Sequence, residues 1–108
     1  GWFISSSGDL ILNLPKKAAD RTGKLCIRFL NLPRHRIYTP QSIELLKDGE
    51  FYKKFPRLPG NTGEKGEITE SCLPVELKSN QQLTLRIKRA DKKKAQIAID
   101  EISFIPQK

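Results

Sequence analysis

Apolar and polar residues alternate along most of this chain with a period of two. Such alternation places successive side chains on opposite faces of an extended strand, so that one face can be buried. The alternating segments are separated by Pro, Gly, Asn and Asp, which are typical of turns. The pattern predicts strands over residues 10–14, 24–31, 42–47, 50–55, 67–77, 82–88 and 95–105, with an interruption at Pro74 in the fifth of them.

The dipeptide Asp48-Gly49 stands between two of these segments. Both residues tolerate a positive φ, so the dipeptide predicts a tight β-hairpin. Residues 15–21 lack an apolar stripe and residues 56–66 are rich in Pro and Gly, so both segments are expected to be loops. Seven or eight short strands at this spacing predict an all-β fold, an antiparallel β-sandwich or jelly roll. The length fits a single domain over residues 1–108.

The last predicted strand changes phase in its middle. Ile97 and Ile99 share one phase, whereas Ile102 and Phe104 share the opposite one. A β-bulge at Asp100-Glu101 would return all four side chains to one face, because one extra residue reverses the alternation. A central strand buried on both faces is the alternative. In either case Asp100 needs a partner, which could be a backbone N–H, a Lys or Arg side chain, or a cation.

The formal net charge is +8, and the positive residues are unevenly distributed. Residues 15–36 and 82–95 are strongly basic, whereas residues 44–76 are slightly acidic. These segments could attract a polyanion, or they could simply keep turns and strand edges soluble. No aromatic residue is interleaved with the 82–95 segment, so nucleic acid is not an expected partner. No stretch approaches the ~18 apolar residues of a membrane span.

Cysteine and histidine content gives little support for catalysis. Cys26 and Cys72 fall in separate predicted strands, and either free thiols or a disulfide fit the pattern. His35 is the sole histidine, so any nucleophile–histidine arrangement would have to include it. Asp100 and Glu101 point to opposite faces of a regular strand, which prevents joint acid–base action. We therefore expect no enzymatic activity.

The order of the segments resembles a known family. The chain reads GDLILNLP at 8–15, GKLCIRFLNL at 23–32, SIELLKDGEFY at 42–52, QQLTLRIKRA at 81–90 and AIDEISFIP at 98–106. This order is similar to that of galactose-binding-like jelly-roll domains, which include carbohydrate-binding modules and accessory domains of glycoside hydrolases. The resemblance implies a non-catalytic, carbohydrate-binding or accessory module. It also implies a secreted, periplasmic or cell-surface location.

Because the chain contains no Met, it is expected to be a processed product or a piece of a larger protein. The resemblance implies a C-terminal position, with other domains of the same polypeptide as partners. Many modules of this type bind a structural calcium through an acidic residue in the last strand and another near the N-terminus. Asp100 matches the first of these positions, and Asp9 is the candidate for the second. No other cofactor is expected.

The candidate ligand-binding residues are aromatic rings and neighbouring polar groups in the predicted loops. Residues 33–40 contain His35, Arg36 and Tyr38, and an Arg fork could bind the carboxylate or sulfate of a glycan. Tyr52 and Trp2 are further candidates. Alternatively, Tyr38 covers one end of the sandwich and Trp2 packs into the core. Two other functions stay open: a purely structural domain that packs on a catalytic domain, and a basic polyanion-binding module.

Overall fold

A computed structural model describes residues 4–58 and 66–107. These residues form eight β-strands and one short 3₁₀ helix. The strands are β1 (Ile4–Ser6), β2 (Leu10–Leu14), β3 (Arg21–Asn31), β4 (Ser42–Lys47), β5 (Glu50–Lys54), β6 (Glu67–Leu77), β7 (Leu83–Lys88) and β8 (Ile97–Pro106), and the 3₁₀ helix covers Pro33–His35. No helix in these residues is long and apolar enough to cross a membrane.

The strands form two four-stranded sheets, and every pairing is antiparallel. The first sheet has the order β1-β8-β3-β6 and the second has the order β2-β7-β4-β5. Each sheet turns one apolar face inward, and the two faces pack together. The predicted all-β class and antiparallel sandwich are therefore confirmed.

The direction of the strands places the connections at two opposite ends of the sandwich. The β1–β2, β3–β4, β5–β6 and β7–β8 connections lie at one end, which we call the basic end for the charges described below. The β2–β3, β4–β5 and β6–β7 connections lie at the opposite end. Strand β1 runs toward the basic end and β8 runs away from it, because the two are antiparallel neighbours.

The core consists of the alternating apolar residues that the sequence pattern selects. Leu25, Ile27 and Phe29 point inward from β3, as expected for their common phase. They meet the inward residues of the second sheet and of β8. The most deeply buried apolar partners are Leu45, Leu85, Ile87, Ile97 and Ile99, each with 0% of its surface exposed.

The phase change in β8 is a β-bulge. Arg28 of β3 pairs with Glu101, and the next residue, Phe29, pairs with Ile99. Asp100 is thus the extra residue, and the first of the two explanations for the phase change is confirmed. The partner of Asp100 is the Arg28 guanidinium, with Nε 3.7 Å from Oδ2. The same guanidinium donates to Glu101 at 3.1 Å.

The predicted hairpin at Asp48-Gly49 is confirmed. Asp48 has φ 49° and Gly49 has φ 84°, the left-handed values that a two-residue turn of this kind requires. The Asp48 carboxylate also accepts a hydrogen bond from the backbone N–H of Gln82 at 2.9 Å. The turn is therefore tied to the neighbouring β6–β7 connection.

Strand β6 continues through Pro74, where an interruption was expected. It pairs with β3 on one side only and forms an edge of the first sheet. Proline lacks a backbone N–H and is tolerated where that group would face away from the neighbouring strand. Pro74 lies opposite Lys24, two residues along from the Cys26–Cys72 pair.

Cys26 and Cys72 form a disulfide. They lie directly opposite each other on β3 and β6, with 4.1 Å between their Cα atoms. The bridge therefore joins two adjacent strands of one sheet rather than the two sheets. Disulfides are typical of proteins outside the reducing cytosol.

Candidate functional site

The β3–β4 and β7–β8 connections meet at one end of the sandwich. The Tyr38 backbone N–H donates to the Gln96 carbonyl at 3.1 Å, and the Gln96 N–H donates to the Arg36 carbonyl at 2.8 Å. The Arg36 side chain donates to the Lys93 carbonyl at 3.2 Å. Lys92 Nζ lies 5.6 Å from the centroid of the Tyr38 ring. Two connections that are distant in sequence therefore form one surface.

This surface belongs to an end of the sandwich that is rich in positive charge. The described connections and adjoining strand ends there carry nine basic side chains and three acidic ones, Asp9, Glu67 and Asp91. The basic residues are Arg34, Arg36, Lys54, Arg57, Lys88, Arg89, Lys92, Lys93 and Lys94. At the opposite end, the same parts of the chain carry five basic side chains, Lys16, Lys17, Arg21, Lys47 and Lys78, together with Asp20, Asp48 and Glu50. Most of the net charge of +8 is thus concentrated at the basic end.

Three predicted ligand-binding residues come together at the basic end. His35 is exposed in the last position of the 3₁₀ helix, and Arg36 follows it in the left-handed conformation with φ 61°. Tyr38 is half-buried beside Lys92. The ring of Tyr38 thus covers part of the sandwich end, while Arg36 and His35 remain accessible to solvent.

Tyr52 lies elsewhere, against the free edge of β6. Its hydroxyl oxygen accepts a hydrogen bond from the Glu76 backbone N–H at 3.2 Å. Lys47 Nζ lies 3.5 Å from the centroid of its ring and donates to the Glu76 carbonyl at 2.5 Å. Lys53 donates to the Pro74 carbonyl at 2.9 Å. These contacts satisfy backbone groups of an edge strand and link the two sheets.

A structural role therefore accounts for the contacts of Tyr52, and a part in ligand binding stays a prediction. Of the two rings in β5, Phe51 is the one that points outward, with 58% of its surface exposed. Tyr52 is the extra residue where the pairing of β4 with β5 shifts register. The bulge explains why simple alternation did not decide between the two rings.

The contacts of Tyr52 also change its acidity. Burial raises the pKa of the phenol, but the Glu76 hydrogen bond and the ammonium groups of Lys47 and Lys53 outweigh it, so the pKa lies below the ordinary 10.0. Because the pKa is lower in the folded state, the free energy of unfolding increases as pH rises from that pKa toward 10.0, and this increase is lost as pH falls back through the folded-state pKa.

We expect the tyrosinate absorbance that disappears in Tyr52→Phe to titrate below 10.0. A difference titration centred at or above that pH would contradict this.

The two predicted calcium ligands have protein partners. Asp9 lies before β2 in the second sheet, and its carboxylate accepts the Arg89 backbone N–H at 2.9 Å. Asp100 lies in the first sheet beside Arg28. Ca²⁺ takes roughly six to eight oxygen ligands, which these two carboxylates do not supply. Trp2, the remaining candidate, lies outside the described residues.

One other group of potential metal ligands occurs within residues 4–58 and 66–107. Cys26, Glu70 and Cys72 have donor atoms within 4.8 Å of one another. Both sulfurs belong to the disulfide, so they are not available as thiolate ligands in this state.

Comparison with known proteins adds no relative. Neither protein-family models, nor curated proteins, nor solved structures match this chain. The geometry and charge of the basic end are therefore the features that point to a function.

Proposed function

We propose that this domain is a non-catalytic, carbohydrate-binding accessory module that binds acidic glycans at its basic end. The observation that carries the proposal is the meeting of the β3–β4 and β7–β8 connections, which gathers the cations beside Tyr38. Sugars are bound by rings that pack on their apolar faces and by polar groups that bond to their hydroxyls. An exposed guanidinium on the same surface as a ring and an ammonium group is suited to a sugar that carries a carboxylate or sulfate.

We further propose that the sandwich is a galactose-binding-like jelly roll. The strand order supports this, since eight strands in two four-stranded sheets with nested antiparallel pairs are the arrangement of jelly rolls. In nested order, β1 pairs with β8, β2 with β7, β3 with β6 and β4 with β5. The fold is common among lectins and supports many functions, so the binding residues rather than the fold carry the functional proposal.

The module would act by proximity. A domain tethered to an enzyme raises the local concentration of the substrate to which it binds, without taking part in the reaction. The disulfide fits a secreted, periplasmic or cell-surface location, where polysaccharides are processed.

The proposal is tested on an array of neutral, carboxylated and sulfated glycans. We expect selective binding of acidic glycans by the wild-type domain. Arg36→Ala combined with Tyr38→Ala should weaken it roughly tenfold or more, because a charge-assisted hydrogen bond contributes about 1.5–3 kcal/mol and each 1.4 kcal/mol is about tenfold in affinity. Lys16→Ala, which removes a cation at the opposite end, serves as the control and should have little effect.

The array also separates the other functions. A folded domain that binds no glycan would refute the proposal. Equal retention of every polyanion, with a steep loss in salt and no preference among glycans of equal charge, would indicate general polyanion binding instead.

A purely structural module is the second candidate. Ile11 in β2 and Phe51 in β5 point away from the core with 66% and 58% of their surfaces exposed, on the outer face of the second sheet. The two strands are the opposite edges of this sheet, so a second domain would cover both side chains only by packing across the whole face. This candidate predicts that Phe51→Ser and Ile11→Ser increase the solubility of the isolated domain, and a blank glycan array would favour it.

A further inference from the structure

A groove opens at the basic end of the second sheet, where β4 begins and β5 and β7 end. Its volume is about 570 Å³, within the range of small-ligand sites. Residues from all three strand ends line it, together with the segments that precede β4 and follow β5. No sequence pattern singles out this groove, because its walls are up to 48 residues apart along the chain, from Pro40 to Lys88.

The lining of the groove is basic and includes no acidic residue among the described residues. Lys54, Arg57 and Lys88 line it, and all three are exposed. The side-chain ion pairs within residues 4–58 and 66–107 are made by Arg28 and Arg86 instead. The three groove cations therefore have no carboxylate partner in the described part of the chain and are available to an anion.

Hydrogen bonds hold the walls of the groove in place. The Gln41 backbone N–H donates to the Lys88 carbonyl at 2.8 Å, and the Phe55 N–H donates to the Ile43 carbonyl at 2.9 Å. The Ser71 hydroxyl donates to the Pro56 carbonyl at 3.1 Å, which fixes the segment after β5 to β6. A site with a fixed backbone loses less entropy when it binds a ligand.

The polar and apolar parts of the lining fit a sugar. Gln41 and Ser42 offer an amide and a hydroxyl at the start of β4, and both are accessible to solvent. Pro40 and Phe55 form a buried apolar base, and Pro56 is exposed at the rim. A pyranose has polar hydroxyls at its edge and apolar C–H groups on its faces, so it needs both kinds of surface.

We propose that this groove binds the oxyanion of an acidic sugar residue, a hexuronate carboxylate or a sulfate ester. Arg57 supplies a planar fork for two of the anionic oxygens, and Lys54 and Lys88 supply the remaining positive charge. Ser42 and Gln41 bond to neighbouring hydroxyls. This inference depends on the proposed function, since it assigns the charged group of the glycan to one part of the basic end.

The test compares two triple variants that remove the same net charge. The first replaces the groove cations, Lys54→Gln, Arg57→Gln and Lys88→Gln. The second replaces exposed lysines at the opposite end, Lys16→Gln, Lys17→Gln and Lys78→Gln. Binding of a short oligogalacturonide and of a short dextran sulfate of matched charge is measured by calorimetry, with circular dichroism to establish folding. The two probes distinguish a carboxylate from a sulfate ligand.

We expect the groove variant to lose at least tenfold in affinity for one of the two probes and the opposite-end variant to lose less than about threefold. An equal loss of affinity in both variants would overturn the groove proposal. It would indicate that the overall positive charge of the domain attracts the probe. Unchanged binding in the groove variant would overturn the groove proposal while the proposed function survives. Wild-type binding of neutral glycans only would overturn both the groove proposal and the binding of acidic glycans at the basic end. A wild-type domain that binds no glycan would overturn both.

Discussion

Deletion of Ala98 is expected to destabilise the domain strongly. Ile97 and Ile99 then become neighbours on opposite faces of β8, so one of these two fully buried side chains must leave the core face. A large apolar side chain contributes about 1.5–3 kcal/mol when fully buried, and a polar side chain turned inward in its place, such as Gln96, costs about 1–3 kcal/mol more. The expected loss of about 3–6 kcal/mol is comparable to the whole stability of a typical domain of about 5–15 kcal/mol.

Deletion of Asp100 is the matched control. It also shortens β8 by one residue, but removing the extra residue of the bulge leaves the four apolar side chains of β8 in a single alternation on one face. It removes the ion pair between Arg28 and Asp100, whose side chains are 40% and 42% exposed, and such an exposed pair contributes about 0–1 kcal/mol. Urea unfolding should therefore show a near-normal midpoint for the Asp100 deletion and a much lower one for the Ala98 deletion. Equal midpoints for the two deletions would show that the phase of the apolar side chains does not set the register of β8.

Removal of the disulfide is expected to have the second-largest effect. Cys26 and Cys72 are 46 residues apart in sequence, and closing a loop of that length restricts the unfolded chain by about 4 kcal/mol. Native-state relaxation usually reduces the measured value, so Cys26→Ala with Cys72→Ala should lose roughly 2–4 kcal/mol. The melting temperature should fall by roughly 10–20 °C for a domain of this size.

The control for this prediction is the wild-type protein with and without a dithiol reductant. In denaturant, both cysteines should react with iodoacetamide only after reduction, which mass spectrometry detects. The reduced protein and the double variant should then unfold at similar urea concentrations. Equal midpoints for the oxidised wild type and the double variant would contradict a stabilising bridge.

Local alternation predicted much of the sandwich. Strands β2 and β4 were predicted with their observed bounds, Leu10–Leu14 and Ser42–Lys47, because apolar residues recur there at a period of two and turn residues, Pro15 and Asp48-Gly49, follow directly. The bulge in β8 could be foreseen because four large apolar side chains must share one face. Strand β1, Ile4–Ser6, could not be predicted, since three residues are too few to show a period.

The continuation of β6 through Pro74 could not be predicted from the chain alone. Whether a proline interrupts a strand depends on which side of the strand has a neighbour, and that is a property of the sheet order. Which residue lies opposite a given cysteine likewise depends on the register between paired strands, which the chain alone does not show. The sequence is therefore compatible with free thiols as well as with a disulfide, and the register that places Cys26 opposite Cys72 decides for the disulfide.

The candidate site was only partly predictable for the same reason. The sequence shows one basic segment over residues 15–36, but β3 spans 11 of its residues and, at about 3.3 Å per residue, carries the chain from one end to the other. Lys16 and Lys17 thus lie far from Arg34 and Arg36. The basic end gains instead Lys54, Arg57 and Lys88, which come from strand ends that only the fold brings together.

The directions of β1 and β8 have a practical consequence for how this domain can be presented to a polymer. Any linker, fusion partner or solid support joined through either terminus would approach from the side away from Arg36 and Lys88. Immobilisation by a terminal tag should therefore leave those loops facing the medium, in the orientation needed to engage an extended chain.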